Sequence, residues 1–205
     1  MSEPGAIRVF IVEDQRLVLD ALAALLDRED DIDIVGTATS AEEGLKGIND
    51  HAVDVVLTDI ELPGESGIEL ANAVREAQPA IRIIVLTTFA RSGYFERAMA
   101  AGARGYILKD SPASELAAAI RKVHQGERIV DPELVAQSWS DPNPLTERER
   151  QCLRLAGDGL PNSQIADTVF LSEGTVRNYL SSALSKLDAA NRTEAARLAR
   201  QKGWI

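Results

Sequence analysis

Cysteine is almost absent from the 205 residues: Cys152 stands alone. A single thiol excludes an internal disulfide and a cysteine metal cage. Cys152 lies in an apolar helical stretch, which predicts a buried small side chain rather than a reactive one. Long apolar runs are missing too; none approaches the roughly 18 residues that a membrane span needs. The opening MSEPGAIRVF carries one Glu and one Arg and lacks the charged-then-apolar pattern of a signal peptide. A soluble, cytoplasmic protein is the expectation.

Cations are also scarce, with a formal net charge of −10. The shortage is confined to one part of the chain. Residues 1–142 hold 13 Lys and Arg against 25 Asp and Glu, whereas residues 143–205 hold 9 against 7. Only the second stretch could approach a polyanion without strong repulsion. Two domains with different partners are implied.

Hydrophobic residues make up 45% of the chain, enough for a core. Over the first 125 residues, β-branched runs at 7–12, 32–37, 53–57, 81–87 and 105–108 alternate with helical patterns at 17–27, 41–48, 67–77, 93–101 and 113–125. Ser40 with Glu43 spells a capping box, Pro112 suits a first helical position, and Gly126 suits a helix end. Five β-then-α units predict a parallel sheet covered by helices on both faces, whose site lies beyond the carboxyl ends of the strands. Residues 129–144, with three prolines after position 131, read as a linker with a short helix, in which Trp139 seals a domain edge. From Leu145 onward the pattern is wholly helical. Thr146 and Glu149 form a capping box, and Asn162 and Ser172 cap two further helices, 163–168 and 173–187. A last helix covers 193–202, with Trp204 packing against it.

The strand ends carry the chemistry. Glu13 and Asp14 follow the first run, Asp59 the third, Thr87 and Thr88 the fourth, and Lys109 the fifth. Carboxylates crowded on one edge need a cation, and Mg²⁺ suits them. A carboxylate can also act as nucleophile toward phosphorus, with a lysine and a hydroxyl offsetting the charge on the transferred group.

Residues 7–125 resemble a response-regulator receiver domain. The resemblance is carried by VED at 12–14, TDIELPGESG at 58–67, IIVLTT at 83–88 and GYILKD at 105–110. It implies a flavodoxin-like, five-stranded sheet of order 2-1-3-4-5. It implies Asp59 as phosphoacceptor, with Mg²⁺ held by Glu13, Asp14, Asp59 and the backbone carbonyl of Glu61. Lys109 would pair with the phosphate, and Thr87 would act as switch hydroxyl coupled to Tyr106. Asp110 departs from the proline that many receivers carry there; Pro112 comes two residues later.

Residues 145–195 resemble the LuxR-type helix-turn-helix, through LTERE at 145–149, Ile165-Ala166, Ser172, Thr175-Val176-Arg177, Lys186-Leu187 and Asn191-Arg192. Helix 173–187 would then be the recognition helix. Arg177 and Asn178 would read bases, while Tyr179, Lys186 and Arg192 would position the phosphate backbone; Ser181 stands where many members have a second cation. With so few cations per copy, two copies on spaced half-sites are expected.

Together the domains are identified as a NarL/FixJ-family two-component regulator, not an enzyme. Its implied partners are a sensor histidine kinase, promoter DNA, a second copy of itself once phosphorylated, and RNA polymerase. LTTFARSGYFERA, LKDSP and GTVRNY also resemble a member associated with membrane-lipid fluidity, implying membrane-lipid genes as targets. Two other readings stand beside it: a phosphorylation-independent DNA-binding protein whose receiver only dimerises, and an aspartate-nucleophile phosphatase.

Overall fold

The computed structural model describes residues 5–88, 91–130 and 142–205. Most of the proline-rich stretch, with Trp139 and the expected short helix, lies outside the described residues.

The first unit is a parallel sheet built from β1 (Ile7–Val12), β2 (Ile32–Ala38), β3 (Val55–Asp59), β4 (Arg82–Thr87), β5 (Gly105–Leu108) and β6 (Ile129–Val130), in the order β2-β1-β3-β4-β5-β6. The expected order is kept, with a sixth strand added at one edge. That strand comes from residues expected to begin the linker: Ile129 and Val130 pair with Gly105 and Tyr106. A two-residue strand has no periodicity to announce it; it forms because β5 would otherwise leave an unpaired edge.

Helices α1 (Arg16–Leu26), α2 (Ala41–Asp50), α3 (Gly67–Ala77), α4 (Ser92–Ala100) and α5 (Ala113–His124) connect the first five strands and follow the fifth. Alternate residues explain the two-sided core. Val9, Ile11, Val55, Leu57, Ile84 and Leu86 share one buried cluster with Leu19 and Leu26 of α1 and Leu116, Ile120 and Val123 of α5. Phe10 and Val12 point the other way, toward Gly47 and Gly44 of α2. Strands buried on both faces show no polar alternation, as a parallel sheet requires.

Caps set the helix starts. Ser40 Oγ accepts the Glu43 N–H, but the Glu43 carboxylate reaches back to Thr39 rather than Ser40, so only half of that expected box forms. Ser66 and Glu69 make a full box at α3. Pro112 takes the cap position of α5 rather than the first helical one, and Gly126 follows the helix in left-handed conformation at φ +95°.

The second unit contains α6 (Glu147–Gly157), α7 (Asn162–Val169), α8 (Glu173–Lys186) and α9 (Arg192–Gln201). Its core joins Cys152, Leu153, Ile165, Val169, Val176, Leu180, Ala183, Ala195, Ala199 and Trp204. Cys152 is fully buried, as its apolar surroundings predict. Among the described residues, no helix is long and apolar enough to cross a membrane.

Candidate functional site

Three strands of the first unit deliver charge to one edge. β1 runs directly into Glu13 and Asp14, β3 ends on Asp59, and β5 is followed by Lys109. Parallel strands in register bring these ends level: Asp59 pairs beside Leu86, and Thr87 beside Leu108. The Lys109 N–H donates to the Thr87 carbonyl at 2.8 Å, which fixes the exit of β5 against that of β4.

Lys109 Nζ stands 2.7 Å from Glu13 Oε2 and 2.8 Å from Asp59 Oδ2. Both carboxylates are almost fully buried, whereas Asp14 is exposed. Asp59 Oδ1 accepts the Ile60 N–H at 2.7 Å, and Glu13 Oε1 accepts the Gln15 N–H at 3.3 Å. One oxygen from each of Glu13, Asp14 and Asp59 lies within 4.8 Å of the others. An all-oxygen set of this size, open on the Asp14 side, fits a hard divalent cation that keeps several waters.

Burial is the main influence on the two flanking groups. It raises the Glu13 carboxyl above its ordinary value, against the opposing pull of Lys109. Burial alone would lower the Lys109 ammonium, but its bonds to Asp59 and Glu13 outweigh that and raise it. The lysine therefore stays charged between two carboxylates.

The loop after β3 turns sharply just beyond Asp59. Gly64 takes φ +77°, which L side chains rarely adopt, and the Gly67 N–H returns to the Ile60 carbonyl at 3.1 Å. Glu61 is exposed in this loop, and Thr87 is buried at its strand end. Tyr106 lies inside β5 and is fully buried. Its ring meets Phe95 of α4 edge-on, with centroids 5.5 Å apart at 81°. Nothing in the spacing singled out Phe95 as the partner of that ring.

In the second unit the turn between α7 and α8 occupies Phe170 to Ser172. Phe170 adopts φ 56° as the left-handed cap, and Ser172 Oγ accepts the Thr175 N–H at 3.1 Å. Val176, Leu180 and Ala183 bury one side of α8, leaving Arg177, Asn178 and Ser181 exposed on the other. Among the described residues these three make no side-chain hydrogen bond or ion pair within the protein. Tyr179 is half-buried against the core. Lys186, exposed, and Arg192, half-buried, both have partners within the unit: Lys186 Nζ donates to Glu149 Oε2 at 2.7 Å, and Arg192 donates to the Leu160 carbonyl at 3.2 Å.

Glu149, expected only as a capping residue, is buried and also receives the Ser182 hydroxyl at 2.6 Å. Burial pushes its carboxyl up, but Lys186, Ser182 and Thr146 together bring it down to about 2. Its capping box pointed to the Thr146 contact alone; Lys186 lies 37 residues away in sequence.

Comparison with known proteins finds relatives for both units. Residues 9–121 match the response regulator receiver domain, and residues 143–199 match the bacterial regulatory proteins of the luxR family. The uncharacterized transcriptional regulatory protein YvfU of Bacillus subtilis is 50% identical over 97% of this chain and 100% of its own length. The transcriptional regulatory protein DesR of the same organism is 46% identical over 97% of this chain and 99% of its own. Among solved structures, the response regulator ChrA of a heme-sensing two-component system is 38% identical. It covers 98% of this chain and 100% of its own, with a TM-score of 0.58.

Proposed function

Given that the chain belongs to the two-component response regulators that join a receiver to a LuxR-type DNA-binding domain, we propose that Asp59 is its phosphoacceptor. The observation that carries this is the gathering of Glu13, Asp14, Asp59 and Lys109 at one sheet edge. A carboxylate oxygen of Asp59 attacks the phosphorus of a phosphohistidine on a sensor kinase. The P–N bond breaks and an acyl phosphate forms. Lys109, already at Asp59 Oδ2, follows the new charge. Glu13, Asp14, Asp59 and the Glu61 carbonyl would hold Mg²⁺, which would supply charge neutralisation at the phosphoryl oxygens.

The acyl phosphate carries roughly −2 where the carboxylate carried −1, and the rest of the receiver responds to that change. Thr87, at the end of β4, donates its hydroxyl to the phosphoryl group, and the packing of Tyr106 against Phe95 follows that movement into α4. The output is a dimer that presents two copies of α8 to promoter DNA. Arg177, Asn178 and Ser181 face the groove and Tyr179 the backbone at its border. RNA polymerase is then the downstream partner, and the chain works in the cytoplasm. The division proposed is a receiver over 1–128, a linker over 129–144 whose first two residues join the sheet, and a DNA-binding domain over 145–205. Identity to YvfU exceeds that to DesR, so similarity assigns no gene set and membrane-lipid control forms no part of the proposal.

Sedimentation with Mg²⁺, with and without beryllofluoride, tests the reading. Wild type is expected to shift from monomer to dimer, and Asp59→Ala to stay monomeric. The same state in all four samples would favour a phosphate-blind receiver that only holds the DNA-binding domains.

A further inference from the structure

The cations near the recognition helix do not share one role. Arg177 is exposed on α8 and has no partner among the described residues, whereas Lys186, also exposed, and Arg192, half-buried, are each bonded to a neighbour within the unit. Lys186 is the last residue of α8 and Arg192 the first of α9. Their partners sit at opposite ends of α6. Glu149 lies in its first turn, and Leu160 lies just beyond its last residue, Gly157. The end of α8 and the start of α9 are thereby tied to opposite ends of one neighbouring helix.

The Glu149 end of this tie is a complete acceptor site. Its Oε2 takes the Thr146 N–H at 2.7 Å and Lys186 Nζ at 2.7 Å, while Oε1 takes the Ser182 hydroxyl at 2.6 Å. The Glu149 side chain is 5% exposed, so it has little water to fall back on. A buried carboxylate stripped of its cation is costly, which holds Lys186 in place. Ser182 and Lys186 are one turn apart on α8, so both grip the same carboxylate and fix the rotation of the helix about its own axis.

We infer that Lys186 and Arg192 are positioning residues, which set the angle and rotation at which α8 is offered to DNA, and that neither neutralises a phosphate. The inference rests on the DNA-binding reading above. It gives Glu149, a buried acid that cannot touch DNA, a measurable part in DNA affinity.

The two roles predict opposite signs. A phosphate contact contributes about 0.9 to the slope of log affinity against log salt for each copy bound, and a positioning residue contributes nothing to it. If Lys186 touched phosphate, Glu149→Gln would free the lysine, remove a nearby negative charge and strengthen binding. As a positioning pair, Glu149→Gln weakens it. Glutamine still serves in a capping box, so α6 retains its start in this variant.

The experiment uses the full chain activated with beryllofluoride and Mg²⁺, and a duplex selected from a randomised pool. Affinity is measured across a salt series for wild type, Lys186→Met, Glu149→Gln, the double variant and Arg192→Met, with helicity by circular dichroism confirming the fold. The single variants are expected to lose about tenfold in affinity with the wild-type slope, the scale of one charged hydrogen bond. The double variant should lose no more than either member of the pair, as residues acting through one contact do. A slope reduced by about 0.9 per copy in Lys186→Met or Arg192→Met, or tighter binding by Glu149→Gln, overturns the inference. A wild type showing no salt-dependent duplex binding overturns the DNA-binding reading itself, and the inference with it.

Discussion

Gly67 lies so close to Asp59 that a β-carbon there would meet the Asp59 carbonyl oxygen at 1.7 Å. The Thr58 hydroxyl would be the next atom struck, at 2.6 Å. The start of α3 is thus pressed against the last residue of β3, and only a residue without a side chain permits it. Backbone cannot swing aside as a long side chain can. Gly67→Ala is expected to cost about 3 kcal/mol or more, at the upper end for overpacking. It should also slow phosphorylation by displacing Asp59. Urea denaturation and uptake from a small phosphodonor check both, and a variant of wild-type stability would refute the packing argument.

Lys109 separates two buried acids, so its loss should be felt without any phosphoryl donor. Lys109→Met leaves Glu13 and Asp59 facing each other, a situation that costs roughly 3–5 kcal/mol when a buried pair is broken. A divalent cation can partly replace the ammonium. Added Mg²⁺ should therefore raise the denaturation midpoint of the variant more than that of wild type. Equal shifts in the two proteins would separate the lysine from the metal site.

Glu149 governs the acid limit of the second unit. Its folded carboxyl titrates at about 2, below the ordinary value of 4.5. A depressed acid stabilises the fold fully above its unfolded value, and that contribution disappears as pH falls from 4.5 through 2. The shift corresponds to about 3 kcal/mol at most. Cys152, buried in α6, offers a reporter of opening here. Labelling by a pyridyl disulfide, which reacts with thiols in acid, should accelerate across this window in wild type and show a flatter profile in Glu149→Gln. Parallel profiles would remove Glu149 from the account.

Ser172 provides a smaller, cleaner test of α8. Its hydroxyl accepts the Thr175 N–H, and Ser172→Ala should cost about 1 kcal/mol, as lost caps do. Hydrogen exchange ought to quicken first in residues 173–176 and leave the first unit unchanged. Uniform change along the chain would show that the cap does not act locally.

The site of the first unit was legible because its signals are local. An apolar run says where a strand lies, and the next residue says what the strand presents, so Glu13, Asp14, Asp59 and Lys109 could be found one at a time. The sheet then assembled them. Features that depend on what a residue meets across space were hidden. β6 exists through its pairing with β5, and Glu149 meets Lys186 only once α6 and α8 are packed. Ser182 reads on the helical wheel as part of the outward face of α8, yet its bond to Glu149 turns it inward. Lys186 and Arg192 were expected at the DNA backbone on likeness alone, and likeness cannot report the internal partners that hold them.

Because the acidic edge is assembled from the ends of β1, β3 and β5, no fragment shorter than the chain through Lys109 contains it. Those strands are far apart in sequence, and pairings of that kind form late and cooperatively. During synthesis, Asp59 leaves the ribosome about fifty residues before the lysine that completes its surroundings, a delay of several seconds at usual translation rates. A nascent chain in that interval has its acids without their cation. If Asp59 takes the phosphoryl group as proposed, the site is completed in one step, when β5 docks, and phosphoryl uptake then reports that docking.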